Sequence, residues 1–208
     1  MYKRQGLYIQ TTYNGKIRKV ELDEKINIYM LPFIKPIEVK QYFENEKIET
    51  YNDAIKNIIE NEKLDKTKIN ILMAHQFVTS GTTNPETCES ETINVGGLDN
   101  VDASNFSEFD YVALGHIHGP QKIGEEKIRY SGTMLKYSFS EVNHHKSVVI
   151  IEIKNGKVDF KLEPLIPLRD MRKIQGPIEE LVKKENYEGT KQQDYICLLY
   201  TSDAADEL

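Results

Sequence analysis

Two short runs, apolar but for Asn70 and each leading into a histidine, constrain this chain more than any other feature. Ile69-Asn70-Ile71-Leu72-Met73-Ala74 ends at His75, and Tyr111-Val112-Ala113-Leu114 ends at Gly115-His116-Ile117-His118. Runs of this length read as buried strands, the habit of sheets covered by other layers. The stretch before the first run supplies a cover. Tyr51, Ala54, Ile55, Ile58 and Ile59 recur at i, i+3, i+4, i+7 and i+8, so residues 51–62 predict an amphipathic helix lying on a sheet. Both histidine sites then fall at the carboxyl ends of parallel strands, where α/β sheets usually build their sites.

The rest of the chain adds strands. Asn14-Gly15 between residues 7–12 and 16–22 predicts a β-hairpin with one wet face, and residues 26–31 predict a strand stopped by Pro32. Asn155-Gly156, between residues 147–153 and 157–162, predicts a second hairpin, and residues 121–123 and 127–130 are short β-prone pieces. The polar stretch 79–97, with Gly96-Gly97 near its end, is a long loop of the kind that is functional or disordered. A mixed sheet, or two stacked sheets with helices outside, accommodates this order. Pro164, Pro167 and Arg169-Asp170 mark a boundary. Beyond it residues 171–174 predict a strand and 177–184 a helix, the opening of a second, smaller unit.

Composition narrows the chemistry. With 39% hydrophobic and 29% charged residues the chain reads as a soluble globular protein, and no apolar run approaches the ~20 residues of a membrane span. No signal peptide is evident at the amino terminus, so a cytoplasmic protein is expected. Cys88 and Cys197 stand far apart, against a disulfide framework or a thiolate metal site. Any metal must then be held by nitrogen and oxygen. The net charge of −6 does not advertise a nucleic-acid binder, and neither a phosphate-cradling glycine loop nor a Ser or Cys nucleophile pattern occurs.

Histidine-assisted, metal-activated hydrolysis is the class best supported. If the backbone stays extended, His116 and His118 point to one face and can share a cation or reach two. His75 alone is more often an ordinary hydrogen-bonded residue. His144-His145, adjacent and pointing apart, reads as a surface or substrate edge. Arg129, Lys136 and Lys146 read as a solvated charged face, with phosphate contact as the alternative. Cys88 reads as a loop thiol.

An ordered set of motifs runs from about residue 6 to 196: Leu7-Tyr8-Ile9 with Thr12-Tyr13-Asn14-Gly15, Tyr29-Met30-Leu31-Pro32-Phe33-Ile34-Lys35-Pro36, Ala74-His75-Gln76-Phe77, Phe109-Asp110-Tyr111 through Gly115-His116-Ile117-His118, Tyr130-Ser131-Gly132-Thr133 and Tyr137-Ser138-Phe139-Ser140-Glu141. Together they resemble the SbcD family of bacterial nuclease subunits, within the calcineurin-like metallophosphoesterase superfamily. The resemblance implies an α/β (α+β) metallophosphoesterase fold, a β-sandwich flanked by helices, followed by a small α/β capping domain. It divides the chain into 1–166, the carboxyl-terminal part of the nuclease domain, 167–196, the beginning of the cap, and 197–208, a tail that departs from the family and is read as non-native.

It further implies two divalent metal ions, manganese by family habit, with His75 and His116 on one and His118 on the other. The implied activities are ATP-dependent 3′-to-5′ exonuclease on double-stranded DNA and endonuclease on single strands and hairpins, in DNA repair and recombination. The implied partners are DNA and an SbcC-like ATPase subunit, with the nuclease a homodimer within a heterotetramer. The family's Asp-x-His, Gly-Asp and Gly-Asn-His-Asp motifs do not occur in these 208 residues. The chain is therefore expected to be an amino-terminally truncated, inactive piece with no catalytic residue of its own. Two rivals stand beside this reading. One is another metallophosphoesterase, against which the segment Phe139-Ser140-Glu141 and the cap signal speak; the other is a non-catalytic interaction module that retains the fold.

Overall fold

The apolar pattern sorts itself onto the two faces of one central sheet. The strands, in chain order, are β1 (Arg18–Glu21), β2 (Ile26–Leu31), β3 (Ile69–His75), β4 (Val78–Thr79), β5 (Val101–Asp102), β6 (Tyr111–Gly115), β7 (Gln121–Ile123), β8 (Glu125–Tyr130), β9 (Ser147–Lys154), β10 (Lys157–Pro164), β11 (Met171–Gln175) and β12 (Tyr195–Leu199). The helices are α1 (Pro36–Lys40), α2 (Tyr51–Glu60) and α3 (Ile178–Leu181). This structure, a computed structural model, describes residues 6–91, 99–191 and 193–200. Six strands form a sheet in the order β1-β2-β3-β6-β8-β7. The four inner strands are parallel, and β1 and β7 are antiparallel edges.

Register aligns the apolar residues in rows across the strands. Tyr29, Leu72, Val112 and Ile128 form one row, and Leu31, Ala74, Leu114 and Tyr130 the next; all are buried on one face. Helix α2 contributes Ala54, Ile55, Ile58 and Ile59 to the same core. Thr50 starts that helix with reciprocal bonds: its hydroxyl accepts from the Asp53 amide at 3.1 Å, and the Asp53 carboxylate accepts from the Thr50 amide at 2.9 Å. Within the core, the register partners Asn27 and Asn70 satisfy part of their polarity on each other, Asn27 Nδ2 donating to Asn70 Oδ1 at 3.2 Å.

The opposite face is covered differently. The β9–β10 hairpin sets Phe160 against Tyr111, ring centroids 6.2 Å apart, and beneath the Arg129 guanidinium at 4.6 Å. Its turn is the expected Asn155-Gly156, both residues at positive φ (53° and 74°). Further along this face Met30, Met73 and Ala113 border an open cleft of about 590 Å³, and Met73 is 47% exposed.

The expected first hairpin does not form. Residues 7–12 adopt no strand, and Leu7, Tyr8 and Ile9 are exposed. Tyr13 packs edge-on against Tyr42, ring centroids 5.4 Å apart. β1 instead pairs with β2, through a tight turn in which the Asp23 carboxylate accepts from the Lys25 amide at 2.7 Å. That closure is shorter and joins β1 to a strand already anchored on β3.

Beyond Pro164 the expected strand and short helix appear as β11 and α3. β11 pairs in parallel with β12 in a two-stranded sheet of its own. β12 continues from Ile196 through Leu199, so one strand spans residues on both sides of the point where the tail was divided off. Residues 92–98, which include Gly96-Gly97, and 201–208 lie outside the described residues. The whole is a mixed α/β protein with a central sheet and few helices, and no described helix is long and apolar enough to cross a membrane.

Candidate metal centre

His75 ends β3, and its register partner on β6 is Gly115. A Cβ on Gly115 would lie 2.7 Å from His75 Nδ1, so the glycine is what lets the imidazole lie over the neighbouring strand. His116 follows with φ of 101°, a left-handed conformation that costs a non-glycine residue ~1–3 kcal/mol. The turn brings the two rings together, T-shaped, with centroids 5.4 Å apart. Phe33 stacks on His116 at 6.5 Å and Phe77 meets it edge-on at 6.2 Å. His116 Nε2 is buried and has no hydrogen-bond partner among the described residues.

The loop after His75 is fixed from below. The buried Tyr130 hydroxyl donates to the Gln76 carbonyl at 2.9 Å and accepts from the Val78 amide at 2.6 Å. Burial lowers the pKa of the His116 imidazole, with the Asp99 and Glu91 carboxylates pulling the other way. His75, open to the cleft, is lowered by the desolvation of its covered side and by His116. Both rings are therefore neutral at pH 7, the state in which imidazole ligates a transition ion. An orphaned ring nitrogen, a second imidazole admitted beside it by a glycine, and neutral donors all fit a divalent ion.

His118 sits elsewhere. The strand ends at Gly115, so the alternation rule that would set His116 and His118 on one face does not apply, and buried Ile117 separates two different surroundings. His118 Nδ1 lies 3.0 Å from Ser90 Oγ and 3.2 Å from Glu141 Oε1, and its ring meets Tyr137 at 6.1 Å. Its amide donates to the Glu91 carboxylate. Its carbonyl accepts from the Thr133 amide at 3.1 Å, an approach that Gly132 permits, since a Cβ there would lie 2.7 Å from that carbonyl oxygen.

Glu141 and Lys146 form a buried ion pair at 2.6 Å, with side chains 0% and 4% exposed. Burial raises the Glu141 pKa, but hydrogen bonds from Lys146, Ser90 and His118 outweigh it and bring the carboxyl to about 2. The expected solvated face is therefore absent. Lys146 is interior, Lys136 donates to the Val142 carbonyl and pairs with Asp170, and Arg129 pairs with Glu126 over Phe160. His144 is half-buried beside Lys146, and His145 is exposed.

Cys88, His118 and Glu141 have ligand-type atoms within 4.8 Å of one another. A cation there would have to displace the Ser90 hydroxyl and the His118 ring from Glu141 Oε1 and would lie beside the Lys146 ammonium on Oε2, so the group reads as structural. Cys88 stays a loop thiol, its Sγ 3.1 Å from Ser90 Oγ. Sequence reasoning missed the roles of Phe33, Phe77, Ser90, Glu91 and Lys146. Phe33, Phe77 and Glu141 carried a signal only through their places in the ordered motifs; Ser90, Glu91 and Lys146 lie in none of them.

No family model matches the chain. It is 35% identical over 187 residues to the D component of nuclease SbcCD from Staphylococcus epidermidis, a stretch covering 88% of this chain and 49% of that protein. It is 35% identical over 196 residues to the D component of nuclease SbcCD from Staphylococcus saprophyticus subsp. saprophyticus, covering 89% and 51% respectively. The chain thus spans about half the length of the curated relatives it matches. Both bear out the resemblance carried by the motifs.

Proposed function

We infer that this SbcD-like chain is part of a metal-dependent DNA nuclease, with His75, His116 and His118 as its metal ligands. The observation that carries the reading is the buried His116 Nε2, without a hydrogen-bond partner among the described residues, beside the His75 ring at the ends of adjacent parallel strands. His75 and His116 would hold one divalent ion, manganese by family habit, and His118 the second. Ions so held act as Lewis acids on a phosphoryl oxygen and lower the pKa of a water. The chain's own residues prepare that site: Phe33 and Phe77 shield the His116 ring from water, Gly115 leaves room for His75, and Tyr130 fixes the loop that follows His75.

The relatives' name, as the D component of a nuclease called SbcCD, supports phosphodiester hydrolysis on DNA in a complex with an SbcC-like ATPase. The same reading extends to ATP-dependent 3′-to-5′ exonuclease and single-strand or hairpin endonuclease activity in DNA repair and recombination, in the cytoplasm, by a homodimer within a heterotetramer. Residues 1–166 belong to a metallophosphoesterase sandwich, to which the β9–β10 hairpin contributes its second layer. Residues 167–196 open a cap, and 197–208 carry no function. Three histidines divided between two ions leave each with few donors, so the 208-residue chain alone does not cleave DNA.

Joining to this chain the portion of the S. epidermidis relative that it does not match tests the reading. The expected result is Mn²⁺-dependent cleavage of DNA that His116→Ala abolishes, with no cleavage by the 208-residue chain. A joined chain that folds, binds Mn²⁺ and leaves DNA intact overturns the nuclease assignment.

A further inference from the structure

Every polar atom of His118 but one is tied to the protein among the described residues. Its amide donates to Glu91, and its carbonyl accepts from Thr133 and from the Lys146 ammonium at 2.9 Å. Its Nδ1 faces Ser90 Oγ and Glu141 Oε1. The direction of that last contact follows from what surrounds the carboxylate. Glu141 Oε2 accepts from Lys146 at 2.6 Å; Oε1 accepts from the Ser90 hydroxyl at 2.7 Å and from the Tyr137 amide at 3.3 Å. A carboxylate beside an ammonium has no proton to give, so the hydrogen between ring and carboxylate sits on Nδ1. A neutral imidazole protonated at Nδ1 carries its lone pair on Nε2.

We propose that Glu141, held in place by Lys146, is a positioning residue that fixes His118 in the Nδ1–H tautomer and leaves Nε2 as its ligand atom. The pair works at both ends of the residue: Lys146 holds the His118 carbonyl and, through Glu141, the ring. Lys146 also donates to Thr133 Oγ1 at 2.8 Å, which ties the Tyr130-Ser131-Gly132-Thr133 segment into the same arrangement. A histidine that ligates metal with one nitrogen and donates the other N–H to a carboxylate is a general device for orienting the ring and raising its basicity. The metal half of this proposal rests on the reading of His118 given above; the tautomer half does not.

The test is nitrogen-detected NMR of the ¹⁵N-histidine-labelled chain without metal, followed by Mn²⁺ titration by calorimetry. Three proteins are compared: wild type, the apolar pair Glu141→Leu/Lys146→Met, and the conservative pair Glu141→Gln/Lys146→Met, which retains an acceptor for Nδ1–H. The expected result is an Nδ1–H tautomer for His118 in wild type and in the conservative pair. In the apolar pair the tautomer is lost, and Mn²⁺ affinity falls by about 10–100-fold. An Nε2–H tautomer in the wild-type chain overturns the proposal without recourse to any variant. So does an apolar pair that folds and keeps both tautomer and affinity. A wild-type chain with the Nδ1–H tautomer that takes up no Mn²⁺ leaves the positioning role standing and removes the metal reading; Mn²⁺ uptake with an Nε2–H His118 does the reverse.

Discussion

Lys146 follows Glu141 by five residues, and the two charges meet in the interior, where neither would be stable alone. Such a pair makes a signed prediction about acid. The folded Glu141 carboxyl titrates at about 2, against an ordinary glutamate value of 4.5. Its contribution to stability is therefore complete above pH 4.5, because the unfolded chain binds the proton first as pH falls. It is lost as pH drops through the interval toward 2. Urea unfolding of the chain across that interval should show the loss, and the Glu141→Gln/Lys146→Met pair should lack this component. An unchanged acid slope in the pair contradicts the assignment. The sequence made the histidines legible, since His75 closes one apolar run, His116 follows the glycine that ends the other, and His118 stands two residues on. It could not show the Lys146 pairing, because no helix or strand periodicity links residues five apart through a 3₁₀ turn and a loop. For the same reason Arg129, Lys136 and Lys146 read as solvated charge when each is committed to a partner.

At the level of elements, periodicity is a sound guide wherever a segment has a strong local partner. Helix α2 carries its stripe and its cap in ten residues, and all four of Ala54, Ile55, Ile58 and Ile59 are buried. Thr50→Ala removes the hydroxyl that accepts from the Asp53 amide and should lower stability by about 1 kcal/mol, read from the urea midpoint. A change below a few tenths would show that the cap is replaced by water. The β9–β10 hairpin was equally legible because its turn residues take the positive φ that an Asn-Gly turn demands. The Asn14-Gly15 signal failed for a physical reason: turn chemistry favours a hairpin only if both flanking strands find ladders. Residues 7–12 find none among the described residues, whereas Lys19 and Val20 align with Tyr29 and Ile28 of a central strand. The strained His116 was not predictable at this level, because the apolar run before it says where a strand ends and nothing of how the chain leaves it.

Across the molecule, parallel strands deliver His75 and His116 to one end of the sheet from positions forty-one residues apart in the chain. The cleft bordered by Met30, Met73, His75 and Gly115 opens beside them on the face opposite α2. That convergence was foreseeable from two apolar runs and the rule for strand ends; the aromatic enclosure by Phe33 and Phe77 was not, because it depends on how the segments after β2 and β3 turn. If the convergence holds a divalent ion, the decisive experiment is Mn²⁺ titration of the whole chain, followed by calorimetry in wild type, His75→Ala, His116→Ala and Cys88→Ala. The expected outcome is weak Mn²⁺ uptake from which His75→Ala or His116→Ala each removes the component held by those two rings, leaving that of His118, and that Cys88→Ala leaves unchanged. Uptake that survives both histidine substitutions and disappears with Cys88→Ala would place the ion elsewhere and refute the assignment.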